Sequence, residues 1–210
     1  MFKLISATPS PYARKVRIAL SEKGLPFELV TEVPWDSGTQ TPKYNPLEKL
    51  PVLITEDNEG IYESSYILQW LELKHPEPAL VPRDVEGILR ARKFEVLCDG
   101  ICDAVVLTFF ERRRGDSQSP EWLARQRRKI EGGVREMARL MDKRTFAVGD
   151  AFSLGDIAVG TALGYLRVRF AEFDWMSLYP DLDAYARRLE QRPSFANSVP
   201  YPQTIRDKVV

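Results

Sequence analysis

The stretch SATPSPYARKVRIAL, residues 6–20, decides the fold of the amino-terminal part of the chain. It follows the apolar run FKLIS, which predicts a first β-strand, and a helical pattern begins at Ser10-Pro11. Proline has a fixed φ angle and no N–H to lose, so Pro11 suits the first helical position and Ser10 becomes the N-cap. Two roles are open for the Ser10 hydroxyl. It caps a backbone N–H, or it donates to an anion at the positive end of the helix.

The elements around this stretch alternate between strand and helix. Helical spacing continues over residues 11–23 and ends at Gly24, and FELVTEV predicts a second strand. The runs PVLIT and a short strand near Ile61 flank the turn EDNEG, which predicts a hairpin, and SYILQWLEL predicts a helix after it. The order βαβ followed by ββα predicts a small mixed sheet with helices on its faces.

The second part of the chain has a different pattern. The segment HPEPALVPRD, residues 75–84, contains three prolines in ten residues and indicates a linker. Helical spacing alone follows it. We therefore predict an α/β domain over residues 1–78, a linker over 79–84 and an all-helical domain over 85–210.

The second predicted helix of the helical part has two notable features. Ser119-Pro120 begins a helix in the same way as Ser10-Pro11. Within that helix, Gly132-Gly133 predicts close helix packing or a kink, because each glycine costs about 1 kcal/mol in a helix interior.

The last helices carry a capping signal and an apolar stripe. In FSLGDIAVGTALGYL, Ser153 and Asp156 have the spacing of a capping box, which is a folding signal. The final helix is expected to turn an apolar stripe inward, formed by Leu178, Leu182, Tyr185 and Leu189.

The charge balance excludes whole classes of partner. Thirty basic and thirty acidic side chains cancel, so no global field attracts nucleic acid or an anionic membrane. The basic cluster Arg14, Lys15 and Arg17 is interpreted as the solvated face of the first helix. No apolar stretch approaches the length of about 20 residues that spans a bilayer, and we expect a cytoplasmic protein.

The cysteines are either redox-active, part of a metal site or inert buried side chains, and the sequence favours the last. Cys98 and Cys102 share one helix face and are expected to pack as inert buried side chains. His75, the one histidine, lies in KHPEP and is expected to be a solvated loop residue. No second cysteine pair completes a zinc site, and a histidine-based triad or dyad is not expected with a single histidine.

Three segments are expected at strand ends on one edge of the predicted sheet, where α/β folds bind ligands. The first contains Ser10. In the second, NPLEKLPVL, Pro51 is either cis, which would aim the backbone groups of Leu50 outward, or trans and simply the start of a strand. In the third, IYESSYIL, Glu63-Ser64 is either only a helix N-cap or a site for an α-amino-acid group, with Glu63 accepting from the ammonium.

The three segments occur in the order of a known family. Ser-Pro-aromatic-x-x-Lys-Val-Arg, Asn-Pro-Leu-x-Lys-x-Pro-Val-Leu and Tyr-Glu-Ser-x-x-Ile are followed by Ser-Leu-x-Asp-Ile-Ala. This series resembles the cytosolic glutathione transferase superfamily, and it looks closest to bacterial members with an active-site serine. The resemblance implies a thioredoxin-like domain, an all-helical domain, and a homodimer that binds glutathione in the first domain and an electrophile between the two.

The resemblance also assigns roles to residues. Ser10 falls on the position that binds the glutathione sulfur, and Leu50, before a cis-Pro51, on the position that pairs with the cysteinyl backbone. Lys49 falls nearest the glycyl end, and Glu63 and Ser64 hold the γ-glutamyl group. The family usually has glycine where this chain has Glu48. No cysteine accompanies Ser10, which argues against members that form mixed disulfides with glutathione.

Three functions stay open on this basis. The first is conjugation of the glutathione thiolate to a small hydrophobic electrophile, the second is a non-catalytic binding or regulatory protein, and the third is a glutathione-dependent reductase, dehalogenase or isomerase. The electrophile is expected near Tyr12, Thr108, Phe109 and Arg112, although such an aromatic stripe also fits a core. Arg112 to Arg114 either favour an acidic cosubstrate or form a solvated helix end, which we prefer.

Overall fold

The computed structural model describes residues 1–209 and contains two compact units. The first unit combines Met1–Leu80 with Arg192–Lys208, and the second covers Val81–Gln191. Residues 192–208 belong to the amino-terminal unit in the structure, not to the helical domain predicted over residues 85–210. The difference arises because residues far apart in sequence pack together in the folded chain, and a pattern of adjacent residues does not show this.

The first unit contains a mixed sheet with the predicted element order. Its strands and helices are β1 Phe2–Ser6, α1 Pro11–Glu22, β2 Phe27–Thr31, α2 Thr41–Tyr44, β3 Val52–Ile54, β4 Gly60–Tyr62, α3 Ser64–Lys74 and, near the end of the chain, α9 Pro193–Ala196. The strand order is β2-β1-β3-β4, in which β1 and β2 are parallel and both other pairs are antiparallel. The βαβ and ββα halves are thus confirmed.

The solvated face predicted for α1 is wrong for Arg14 and Lys15, which are each only 2% exposed. Helix α9 covers Arg14: its Nη2 donates to the carbonyl oxygen of Phe195 at 3.3 Å, and its guanidinium lies 5.3 Å from the Phe195 ring centroid. Arg17 donates to the carbonyl oxygen of Asn197 at 2.8 Å, and burial is the main cause that lowers its pKa. Residues 192–208, called the tail below, therefore supply contacts that water normally makes with charged side chains.

The second unit is entirely helical apart from its turns. Its helices are α4 Val85–Arg112, α5 Pro120–Met141, α6 Leu154–Arg169, α7 Trp175–Leu178 and α8 Pro180–Glu190. The close packing expected at the paired glycines is present at Gly133, where a Cβ would lie 2.5 Å from Ile101 Cγ1. The capping box of Ser153 and Asp156 is also present, and Asp156 is fully buried.

The last helix predicted for this unit is two helices in the structure. Leu178 ends α7 and is 62% exposed, so its inward placement is wrong, while Leu182, Tyr185 and Leu189 are buried as expected. Proline cannot donate to a preceding turn, so Pro180 begins a new helix and breaks the stripe.

The cysteines and the histidine are placed by packing. Cys98 and Cys102 are buried, as predicted, and neither forms a disulfide. His75 is not a solvated loop residue: it is half-buried at the end of α3, and its ring packs edge-on against Phe2 with 5.7 Å between centroids.

Candidate functional site

The register of the sheet brings the predicted segments to one edge. Ile5 pairs with Val52, and Val52 pairs with Tyr62, so the three residues form a row across β1, β3 and β4. Pro51 precedes this row on β3 and Glu63 follows it on β4. Because neighbouring strands are about 4.8 Å apart, the row is about 10 Å wide.

Ser10 is the N-cap of α1, and its hydroxyl group acts there as an acceptor only. Its Oγ accepts from the Ala13 N–H at 3.2 Å, and its own N–H donates to the Ala7 carbonyl oxygen at 3.1 Å. Within residues 1–209, no protein group accepts the hydroxyl proton, and the first turn of α1 has no acidic side chain. The two roles considered for Ser10 are therefore compatible, since one uses a lone pair and the other uses the proton.

The loop before β3 contains the cis bond that the sequence left open. The Leu50-Pro51 peptide is cis, and Pro51 is buried. Asn45 is 1% exposed and holds this loop: its Nδ2 donates to the Lys49 carbonyl oxygen at 2.8 Å, and its Oδ1 accepts from the Leu47 N–H at 2.9 Å. In the described part of the chain, the Leu50 backbone has no hydrogen-bond partner.

Glu48, where the resemblance implies a glycine, adopts a backbone conformation that glycine favours. Its φ angle is 54°, in the left-handed region, and its N–H donates to the Asn45 carbonyl oxygen at 2.9 Å. A non-glycine residue in this region costs about 1 to 3 kcal/mol, which the Asn45 contacts offset. Lys49 follows on the exposed side of the turn, and among residues 1–209 its ammonium has no carboxylate partner.

Glu63 also has a left-handed backbone, with a φ angle of 72°, and it caps α3. Its Oε2 accepts from the Ser65 and Tyr66 N–H groups at 3.1 and 3.3 Å, and the buried Ser64 hydroxyl donates to its Oε1 at 3.2 Å. The cap is thus present. The carboxylate stays exposed, so its remaining lone pairs can accept from an ammonium at the same time.

Sequence reasoning missed two residues that hold these segments in place. Thr8, in the loop before Ser10, donates through its Oγ1 to the Tyr201 carbonyl oxygen at 3.2 Å. The second is Asn45, which shapes the turn before Leu50. An Asn-Pro dipeptide is a turn signal and pointed to Asn45, whereas no local pattern links Thr8 to the tail.

Other predicted features concern the helical unit and the metal question. Thr108 is buried and its hydroxyl donates to the Ala104 carbonyl oxygen at 2.8 Å, while Arg112 to Arg114 are exposed as expected. Among residues 1–209, no cluster of three histidine, cysteine or acidic side chains could bind a metal ion. No helix in the same range is long and apolar enough to cross a membrane.

Comparison with known proteins decides the family. The glutathione S-transferase N-terminal domain matches residues 4–79, and the C-terminal domain of that family matches residues 120–188. The GST-like protein YibF of Escherichia coli is 37% identical over 199 residues, covering 94% of this chain and 98% of that protein. The chain belongs to the glutathione S-transferase family.

Solved structures of glutathione S-transferases agree with this assignment. The enzyme of Methylobacterium radiotolerans, in complex with glutathione sulfonate, is 68% identical with a TM-score of 0.98, covering 100% of this chain and 99% of that one. The enzyme of Methylobacillus flagellatus, with glutathione bound, is 38% identical with a TM-score of 0.91, covering 95% and 100%. The glutathione S-transferase fold, a thioredoxin-like domain followed by a helical one, is confirmed.

Proposed function

We propose that this glutathione S-transferase binds glutathione along the β1-β3-β4 edge and conjugates its thiolate to a small hydrophobic electrophile. The observation that carries the proposal is the uncommitted hydroxyl proton of Ser10 at the amino terminus of α1. The glutathione and glutathione sulfonate bound in the two related structures support the ligand.

The width of the edge suits a tripeptide. Three α-linked extended residues span about 10 Å, and the γ-glutamyl linkage makes glutathione longer than that, so the ligand can reach across the three strands. In our proposal, the Leu50 backbone pairs with the cysteinyl backbone and Lys49 lies nearest the glycyl carboxylate. Glu63 accepts from the γ-glutamyl ammonium, and the Ser64 N–H at the start of α3 binds the γ-glutamyl carboxylate.

Catalysis then depends on keeping the sulfur ionised. A free thiol has a pKa near 8.5, so only a small fraction is thiolate at neutral pH. A hydrogen bond from Ser10 to the thiolate is worth about 1.5 to 3 kcal/mol, which lowers the thiol pKa by about one to two units. The sulfur lone pair forms the bond to carbon, and the leaving group departs with its electron pair.

Two further expectations belong to this proposal. The protein is expected to form a homodimer, which gel filtration with light scattering tests directly. The intact set of Ser10, Glu63 and Ser64 favours an enzyme over a non-catalytic binding protein on the same fold. A reductase, dehalogenase or isomerase could use the same thiolate, so a panel of electrophiles identifies the reaction.

The test measures glutathione binding and turnover separately. Isothermal titration calorimetry is expected to detect glutathione binding in the purified protein, and 1-chloro-2,4-dinitrobenzene is expected to be converted to its glutathione conjugate with release of chloride. Absence of glutathione binding would overturn the proposal. Binding without turnover of any electrophile in the panel would instead favour the non-catalytic protein.

A further inference from the structure

Two guanidinium groups lie against one phenyl ring in the helical unit. The Arg169 guanidinium lies 4.1 Å from the Phe109 ring centroid, and the Arg113 guanidinium lies 5.8 Å from it. Phe109 lies in the last turn of α4, Arg113 follows the end of that helix, and Arg169 is the last residue of α6. Two cations on one ring attract it but repel each other.

These two cations differ from their neighbours in having no counter-ion. Arg112 forms an ion pair with Glu172, and Arg114 forms one with Glu111. Within residues 1–209, neither Arg113 nor Arg169 has a carboxylate within ion-pair distance. Arg169 is half-buried, and half-buried guanidinium groups are normally paired, so its positive charge is left for an anion from outside the chain. Arg113 is exposed and adds a second positive charge on the same ring.

An unused donor and a neutral hydroxyl accompany the charge. The Arg169 Nε is buried, and among the described residues nothing accepts its hydrogen, so one donor of this guanidinium is unsatisfied. Burial raises the pKa of Tyr165, and the positive charge of nearby Arg169 partly offsets that rise. Tyr165 is therefore a neutral phenol at every physiological pH.

A buried amide lies at a similar level of the bundle. Gln126 is fully buried, and in the described part of the chain its amide oxygen and nitrogen both lack partners. Gly133 of α5 packs against Ile101 of α4, and α5 returns antiparallel to α4 after a short turn. Two helical turns from that contact, Gln126 is level with Thr108, next to Phe109. Gln126 is thus a second unsatisfied side chain of the helical unit besides Arg169, and the Arg167 Nε is a third.

We propose that Arg169 and Arg113, on the Phe109 ring, form a subsite for the carboxylate of an aromatic acid, so that the electrophilic substrate is an organic acid. A carboxylate can accept two parallel hydrogen bonds from one guanidinium, and the half-buried Phe109 ring adds apolar surface beside it for the ring of the ligand. Binding of the carboxylate at this subsite does not depend on the proposed function. Only the identification of the bound acid as the electrophilic substrate rests on it.

Equilibrium binding tests the subsite without glutathione. In calorimetric titrations, 4-methylbenzoate is expected to bind at least about tenfold more tightly than the neutral 4-methylbenzamide, because charge-assisted hydrogen bonds carry the difference. Arg169→Gln is expected to abolish this preference. Arg114→Gln, which removes a paired arginine from the same helix end, is the matched control and is expected to keep it.

Two results would contradict the carboxylate subsite. Equal binding of the acid and the amide by the unmodified protein, or an unchanged preference in Arg169→Gln, would overturn the subsite. Thermal unfolding checks that each variant folds. If Arg169→Gln does not fold, Arg113→Gln takes its place, with a smaller but measurable loss of the preference as the expected result and an unchanged preference as the contrary one.

Turnover then separates the subsite from the proposed function. With glutathione, 4-(chloromethyl)benzoate and its methyl ester present the same carbon: the C–S bond forms, the C–Cl bond breaks and chloride leaves. The acid is expected to have about tenfold higher kcat/KM, and Arg169→Gln is expected to equalise the two. Equal rates in the unmodified protein would overturn the substrate assignment and leave the transferase intact. Arg169-dependent binding without any turnover would support the subsite and count against the transferase.

Discussion

Two helices of this protein begin with the same dipeptide, Ser10-Pro11 at α1 and Ser119-Pro120 at α5. Both serine oxygens accept from the N–H three residues later at 3.2 Å, and both prolines occupy the first turn. The Ser119 hydroxyl, however, also donates to Glu121 at 3.4 Å. The Ser10 hydroxyl has no such acceptor in the described part of the chain, and α1 has no acidic residue in its first turn.

The presence or absence of a nearby carboxylate determines whether the hydroxyl proton of a capping serine is free to bind a ligand. At α5, Glu121 supplies a negative charge to the positive helix end and takes the serine proton, so the cap is complete within the protein. At α1, the helix end and the serine proton both lack an anion. A sequence motif thus indicates the cap, and the neighbouring carboxylate decides whether the cap can also bind a ligand.

The largest expected effect is on turnover in Ser10→Ala. Loss of the donor to the thiolate is expected to lower kcat/KM by about ten- to a hundredfold and to raise the pKa of bound glutathione by about one to two units. Glutathione binding is expected to persist. Steady-state kinetics and the ultraviolet absorbance of the bound thiolate measure both quantities.

Ser119→Ala is the matched control, since it removes a serine cap of the same length without touching the sheet edge. Its kcat/KM and bound-thiol pKa are expected to equal those of the unmodified protein. Equal rates for Ser10→Ala and the unmodified protein would refute the role of Ser10.

A third N-cap, Glu63, extends the comparison to the γ-glutamyl group. Glu63→Gln keeps an oxygen that can cap α3 but removes the charge that an ammonium needs, so the KM for glutathione is expected to rise about tenfold with kcat retained. Asp84→Asn at the N-cap of α4, where Asp84 accepts from the Gly87 N–H at 2.8 Å, is the control and should leave KM unchanged. A parallel rise in both variants would mean that capping alone explains the effect.

The capping contribution itself should be the same at both serines. Ser10→Ala and Ser119→Ala are each expected to lower the free energy of unfolding by about 1 kcal/mol, because each loses one cap of equal length. Urea unfolding followed by circular dichroism measures it. A much smaller loss at Ser10 would show that its geometry serves the ligand at the expense of the cap.

The smallest effect concerns how each serine is anchored. The Ser119 N–H donates to Glu111 at 2.7 Å, whereas the loop before Ser10 is tied to the tail through Thr8. Thr8→Val keeps the shape and removes one hydrogen bond, which is expected to cost about 0.5 to 1 kcal/mol of stability. Thermal unfolding of this variant beside Thr8→Ser, which keeps the hydroxyl, isolates the bond, and equal midpoints would contradict it.

Local rules account for what could be predicted from the sequence. The Ser-Pro caps, the hairpin and the capping box each depend on a few adjacent residues, so their patterns could be recognised. The site segments were located for the same reason. The cis or trans state of the Leu50-Pro51 bond could not be predicted, because it depends on tertiary contacts that the neighbouring residues in the sequence do not specify.

Long-range contacts account for the rest. Arg14 has the charge of a surface residue, and its burial involves contacts with Phe195 and Ser198, which lie 181 and 184 residues further along the chain. Leu178 fits the apolar spacing of the residues after it, but Pro180 begins a new helix between them. The proline was therefore a stronger signal than the spacing. Arg169 drew no attention in the sequence, because its lack of a counter-ion is visible only after folding.

The two pieces of the first unit have a consequence for synthesis. The whole helical unit, Val81–Gln191, is inserted between Met1–Leu80 and Arg192–Lys208. A nascent chain that has emerged from the ribosome only as far as Leu80 lacks the segment that covers Arg14 and holds Thr8. The first unit therefore remains incompletely shielded until residues 192–208 have also been synthesised.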